Sequence, residues 1–237
     1  MSEATLVIET RYQGPPQSGN GGYVCGRLAA FLDGPAAVRL REPPPLEVPL
    51  SVERTADGAA LVHEGRTIAE ARPVELPRQI PAAPTPAQAE TAARAYAGFE
   101  SHWFPSCFVC GPKRKVGDGL RIFAGAVDGA DLVASTWTPD ASLGDAAGRV
   151  RPEFLWAALD CPGGFAFEPP AEGAILLGEL AVALDGEVAV GEPCVVVGWE
   201  TGHDGRKHHT GTALYDASGA CRGMGRAIWL EVARSPS

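Results

Sequence analysis

The sequence predicts an α+β fold made of two tandem units, each a helix set against a run of antiparallel strands. Three observations predict it. The order strand, glycine-rich loop, apolar helix, several strands occurs twice within 237 residues, and self-similarity on this scale is an organisational signal. Both helix candidates, YVCGRLAAFLDG and RPEFLWAALDC, are apolar along most of their length. The strand candidates that follow each helix are joined by an Asp-Gly turn, at Asp57-Gly58 and again at Asp204-Gly205, and Asp-Gly marks a tight antiparallel connection.

The elements follow in order. TLVIETRYQ alternates as a strand does, with Leu6, Ile8 and Thr10 opposed to Val7 and Glu9. The turn-rich GPPQSGNGG leads into the first helix, which Asp33-Gly34-Pro35 closes. AAVRLRE, PLEVPLSVER, AALVHEG and RTIAEARPVEL then supply strands. Residues 1–76 form the first unit.

Residues 77–101 change texture to a proline-rich linker with a short helix, where Thr85 is a plausible N-cap, Pro86 occupies the first turn and Gly98 stops the helix. Residues 102–237 form the second unit. There LVASTWTPD is a strand, ASLGDAAGRV a loop and RPEFLWAALDC a helix opened by Pro152. AILLGELAVALDG and PCVVVGWETGHDG are strands, and KHHTGTALYDASGACRGMGRAIWLEV is a closing hairpin.

Composition bounds the function. Hydrophobic residues make up 45% and charged residues 21% of the chain, a globular balance with enough apolar mass for a core. The net charge of -9 leaves no excess of cation for phosphate neutralisation, which argues against a nucleic-acid binder. MSEATLVIET carries neither a basic leader nor an apolar stretch of signal length, and nothing approaches a membrane span. Six cysteines in so long a chain read as reduced thiols. The expectation is a soluble, cytoplasmic protein.

One residue stands out. Asp160 follows Phe154-Leu155-Trp156-Ala157-Ala158-Leu159 and precedes Cys161-Pro162-Gly163-Gly164. A carboxylate in apolar surroundings costs several kcal/mol unless it is paired, hydrogen-bonded or protonated. It is either an exposed acid where the helix breaks at the proline and glycines, or a functional group.

The repeat resembles the hotdog fold, a central helix wrapped by a curved antiparallel sheet, and within it the acyl-CoA thioesterases. CFVCGPKRKVGDGLRIF, residues 107–123, is similar to the Cys-x-x-Cys-Gly and Gly-Leu opening of phenylacetyl-CoA-type thioesterases. In that group a His-Gly-Gly begins the helix and an acid lies nine residues after the histidine. Here Arg151-Pro152-Glu153 occupies that span and Asp160 falls nine residues after Arg151, whereas the first unit has Asn20-Gly21-Gly22 with Ala29 nine residues on. Each unit alone looks incomplete. The layout is also similar to acyl-CoA thioesterase II, a double hotdog with its acid in the second half. No glutamine stands in the closing strand GRAIWLEV, where that group carries one to orient water.

The resemblance implies one composite site that hydrolyses an acyl thioester, of coenzyme A or an acyl-carrier protein, without a metal or redox cofactor. Asp160 would be general base or nucleophile. Gly21 or Gly22 would donate a backbone N–H to the oxyanion, worth roughly 3–4 kcal/mol, with Asn20 in support. The C-terminal end of a helix is unfavourable for an anion, which would raise the Asp160 pKa. Glu153, Trp156, Ala157 and Asp160 share one helical stripe, so Glu153 and Trp156 are expected to face the substrate groove, Glu153 about 10 Å from Asp160.

Arg206 and Lys207 beside His208 and His209, and the run Lys113-Arg114-Lys115, are candidates for the coenzyme A phosphates. Cys107 and Cys110 read as buried thiols. A structural zinc wants four ligands, no second Cys-x-x-Cys exists, and His102, His208 and His209 are the only conceivable completions. Trp103, Phe104, Trp137, Trp199 and Trp229 read as core or interface aromatics. Two rivals remain: an acyl-CoA binder of the same fold without turnover, and a hydratase, whose Asp-x-Asn-Pro-x-His run is missing. Further self-association of double units is also expected.

Overall fold

A computed structural model describes residues 4–170 and 172–233 of the chain. The strands are β1 Ala4–Val7, β2 Ala36–Leu40, β3 Pro49–Thr55, β4 Gly58–His63, β5 Arg66–Pro73, β6 Gly125–Ala126, β7 Val133–Trp137, β8 Ala174–Leu184, β9 Cys194–Asp204, β10 Lys207–Tyr215 and β11 Cys221–Val232. The helices are α1 Gly21–Ala29, α2 Pro86–Arg94, α3 Pro152–Ala158 and α4 Cys161–Gly164.

The strands form one antiparallel sheet in the order β1-β3-β4-β5-β2-β8-β11-β10-β9-β7-β6. Outward from the central β2–β8 pair, the first half runs β2, β5, β4, β3, β1 and the second runs β8, β11, β10, β9, β7. The two halves meet in register, with Val38 opposite Leu180 and Ala37 opposite Ala181.

Helices α1 and α3 pack on one another, and the spacing of glycines on α1 is the reason. A Cβ on Gly22 would lie 2.5 Å from Asp160 Cβ and 2.9 Å from the Trp156 carbonyl oxygen, and one on Gly26 would lie 2.7 Å from Glu153 Cα. These two positions, one helical turn apart, let the α3 backbone approach α1 directly. Tyr12, Tyr23, Phe108 and Phe154 fill the space beside that contact, the two tyrosines stacked with ring centroids 4.1 Å apart.

Alternation along the strands separates the two faces. Val196 and Leu214 belong to the main core beneath α1 and α3, while Val195, Val197, Ala213 and Tyr215 point the other way. On that far face α2 covers them with Ala89 and Ala92. The linker is therefore held to the sheet as well as spanning it: the Tyr215 hydroxyl donates to the Pro81 carbonyl at 2.5 Å and Arg226 to that of Gln79 at 2.6 Å. Thr85 caps α2 in a reciprocal capping box with Gln88. The helix ends at Ala95, short of Gly98, which sits inside a separate 3₁₀ turn.

Two other expectations need correction. The first strand stops at Val7, because Thr10–Tyr12 turn into a 3₁₀ segment that carries the Tyr12 ring into the aromatic cluster. Pro162-Gly163-Gly164 does not end helical structure; with Cys161 it forms the extra turn α4, in which the proline stands second, in a first turn whose backbone N–H groups would have no intrahelical partner in any case. No helix among the described residues is long and apolar enough to cross a membrane.

The β10–β11 hairpin is closed by Asp216, which accepts from the Ser218 and Ala220 amides, the Ser218 hydroxyl and Arg222 Nε. These partners, the Ser218 hydroxyl first, hold its carboxyl down to about 2. A depressed carboxyl contributes its stability above the ordinary value and loses it as pH falls through the folded one. Asp216→Ala is expected to cost about 2 kcal/mol at neutral pH. Thermal unfolding from pH 7 down to pH 2 checks it, since the gap to the unaltered protein must close in acid.

Candidate functional site

The site is built where α1 begins and α3 breaks. Asn20 has extended backbone angles, and its side-chain oxygen accepts from the Tyr23 amide at 2.9 Å, which caps α1. That bond leaves the Asn20 Nδ2 group free to point outward. It donates to Asp160 Oδ2 at 2.9 Å, and the Gly22 N–H donates to the same oxygen at 3.0 Å. The amide of Gly21, the first residue of the helix, has no partner among the described residues.

Asp160 is 2% exposed, so the exposed-acid reading does not hold. It sits between α3 and α4 with φ −87° and ψ −80°. Its Oδ1 atom is buried and has no hydrogen-bond partner. Burial pushes its pKa up to about 7, against the opposing effect of the Gly22 N–H. The direction agrees with the expectation, but the cause differs. The helix end that touches the carboxylate is the N-terminus of α1, which favours the anion, and desolvation outweighs it.

Asp160, Asn20 and Gly21 line one cavity of about 60 Å³ with His102, Trp103, Phe165, Leu177 and Trp229. A larger surface groove of about 780 Å³ adjoins it and shares His102, Trp103, Gly164 and Phe165. His102 Nδ1 accepts from the Phe104 amide at 2.9 Å. This places the ring proton on Nε2, which is buried without a partner. His102 lines the cavity, where sequence reasoning weighed it only as a zinc ligand.

Three thiols adjoin the acid. Cys107, Cys110 and Cys161 have their sulfurs within 4.8 Å of one another, with Cys107 and Cys161 at 3.8 Å. Cys161 was missed as their partner; its only signal was adjacency to Asp160. Hydrogen bonds from Cys110 and Cys161 hold the Cys107 thiol well below its usual range.

The other candidates stand elsewhere. Glu153 and Trp156 face α1 at Gly26, and Glu153 lies 3.6 Å from Arg151. Neither lines the cavity, because the stripe they share with Ala157 and Asp160 is spent on the contact with α1. Arg206 in the β9–β10 turn and Lys207 at the start of β10 are exposed and do not line the cavity either. Arg114 is committed to the Ser106 carbonyl and to Asp118, while Lys113 and Lys115 are exposed. His208 is held by Glu231 at 2.8 Å and stacks on Phe167, away from the thiols.

Comparison with solved structures decides the fold. A protein with the hotdog fold from Alicyclobacillus acidocaldarius superposes with a TM-score of 0.58 at 11% identity, over 99% of this chain and 97% of that one. The chain is a hotdog-fold protein. An acyl-CoA thioesterase II from Mycobacterium marinum is similar over 98% of this hotdog chain and 93% of its own, with a TM-score of 0.61 and 14% identity. A protein described as a thioesterase II from Thermobifida fusca gives 0.59 at 16% identity over 98% and 93%. No family profile and no curated protein matches the chain.

Proposed function

We propose that this hotdog protein is a thioester hydrolase with a single composite site between two repeats of one hotdog unit. The identical strand succession on either side of the β2–β8 pair supports the repeat. The observation that carries the function is the division of labour at Asp160. One carboxylate oxygen is held by Asn20 and Gly22 from the first half, the other is buried and unpartnered, and Asp160 lines one cavity with Gly21, whose amide has no partner among the described residues.

The chemistry follows from these groups. An acyl thioester enters from the groove with its carbonyl oxygen against the Gly21 N–H, a donor at a helix start that no side chain covers at its own residue. Asp160 Oδ1 takes a proton from water as the water oxygen attacks the carbonyl carbon. Negative charge gathers on the carbonyl oxygen, where the fixed N–H stabilises it. The carbon–sulfur bond then breaks, and the thiol leaves with the proton that Asp160 returns. His102 Nε2–H is a second donor that orients either water or carbonyl. Similarity to thioesterase II structures supports a coenzyme A thioester as the substrate.

An acyl-CoA binder without turnover is the second reading, favoured by one observation. The residue that β11 presents to the cavity is Trp229, and its Nε1–H is already donated to Thr210. It offers no polar group to hold water.

The test is free-thiol release from short, long and aromatic acyl-CoAs, with Asp160→Asn beside the unaltered protein. Turnover that falls a hundredfold or more is expected, the usual size of a general-base loss. Undiminished turnover in the variant would remove Asp160 from the chemistry. Binding without thiol release on every substrate would establish the second reading.

A further inference from the structure

We infer that Cys107, Cys110 and Cys161 form a binding site for a soft divalent cation, zinc being the natural occupant. The inference is independent of the thioesterase reading. It starts from the turn Cys107-Phe108-Val109-Cys110-Gly111, in which the Gly111 amide donates to the Cys107 carbonyl at 2.9 Å. A Cβ on Gly111 would fall 2.5 Å from both the Cys107 nitrogen and its carbonyl oxygen, so the turn needs glycine there. It brings two thiols of a four-residue segment to one side, and the α3–α4 break supplies the third.

The spacing is that of a coordination shell. A zinc–sulfur bond of about 2.3 Å in a tetrahedron places two sulfurs about 3.8 Å apart, and Cys107 and Cys161 Sγ stand 3.8 Å apart. All three sulfurs fit within 4.8 Å, and all three residues are buried. The usual alternative for such thiols, burial as small hydrophobes, does not require a shared focus.

The surroundings suit bound thiolates. Asn20 Nδ2 lies 3.7 Å from Cys107 Sγ and 4.0 Å from Cys161 Sγ, so an amide donor faces two of the three sulfurs. Such outer donors orient ligands and offset their negative charge. Asp160, whose Oδ1 is buried without a partner, lines the same cavity. Three protein ligands leave a tetrahedral cation one open position. The adjoining cavity of about 60 Å³ exceeds the roughly 10–15 Å³ that one water requires, so water completes the shell. Binding releases to solvent the protons that these thiols carry, with no change of oxidation state. The cation would pin the 103–111 loop to the α3–α4 junction and so hold Asp160 in place from behind.

The experiment uses the full chain, reduced and stripped of metal, titrated with Zn²⁺ against a chromophoric chelator, with Co²⁺ substitution as a second readout. One Zn²⁺ per chain, a thiolate-to-cobalt charge-transfer band, and a rise in unfolding temperature on adding Zn²⁺ are expected. Cys110→Ser should weaken zinc at least a hundredfold and lose part of the charge-transfer intensity. Cys221→Ser, at a thiol outside the cluster, should leave both unchanged. Circular dichroism of metal-free Cys110→Ser establishes that the variant is folded. If it is not, the cobalt spectrum of the unaltered protein decides: the site stands if the charge-transfer intensity corresponds to three thiolates. Failure of the reduced, unaltered protein to compete for Zn²⁺ overturns the inference. So does undiminished binding in folded Cys110→Ser, or bound Co²⁺ without a thiolate charge-transfer band.

Discussion

Asp160→Asn is expected to unfold at a higher temperature than the unaltered protein at pH 8, with the gain shrinking steadily toward pH 4. The carboxyl is buried and its pKa is pushed up to about 7, against about 3.9 in an unfolded chain. A group whose folded pKa is raised contributes fully below the unfolded value, and its contribution is lost as pH rises through the folded one. About three pKa units correspond to about 4 kcal/mol at pH 8, or roughly 10 °C in a domain of this size.

Asparagine escapes the cost because it fits the existing partners. Its oxygen can accept from Asn20 and Gly22 as Oδ2 does, and its amide takes the place of Oδ1, which has no bond to lose. Unfolding temperatures in the presence of a chelator, from pH 4 to pH 8, check this. A variant less stable than the original at pH 8 would mean that the carboxylate is held favourably. The same ionisation should act on activity with the opposite sign. Only the deprotonated form accepts a proton from water, so thioester hydrolysis should fall as pH drops below about 7 while stability rises. A site that is less stable in its active form is the ordinary stability–activity trade-off.

Gly22→Ala is the second large effect. Its Cβ would meet Asp160 Cβ at 2.5 Å, the Trp156 carbonyl oxygen at 2.9 Å and Ala157 Cα at 3.0 Å. Two of those atoms are backbone, so the helices must separate. Overpacking of this kind costs about 3 kcal/mol, and the separation also lengthens the Gly22–Asp160 hydrogen bond, so activity should fall with stability. Gly21→Ala is the comparator. Its Cβ would meet chiefly the Leu177 side chain, with Cδ2 at 2.7 Å, and a flexible side chain yields at about 1 kcal/mol. Equal losses in the two variants would show that the α1–α3 contact is not the tight one.

Much of this arrangement was legible beforehand because it is written in local chemistry. Asn20 before two glycines announces a capped helix start, and Pro152 announces another. The two Asp-Gly pairs mark hairpins that the structure places at β3–β4 and β9–β10. The oddity of Asp160 was visible as a charge in an apolar run. Glu153 and Trp156 share a face with Asp160 as expected, but that face packs on Gly22 and Gly26 of α1 rather than on the groove, because a helical wheel gives a common face and not what covers it. Cys161 escaped notice because 51 residues separate it from Cys110, and no local pattern joins them.

The elements, their order and the residue types with reactive chemistry are encoded locally, since caps, turns and periodicity act over a few residues. The burial of Asp160, the reach of Asn20 and Gly22 to it from about 140 positions away, and the convergence of three thiols behind it arise from packing alone. Those facts depend on how closely two helices approach, and that distance is set by packing between halves of the chain that carry no mutual signal in one sequence.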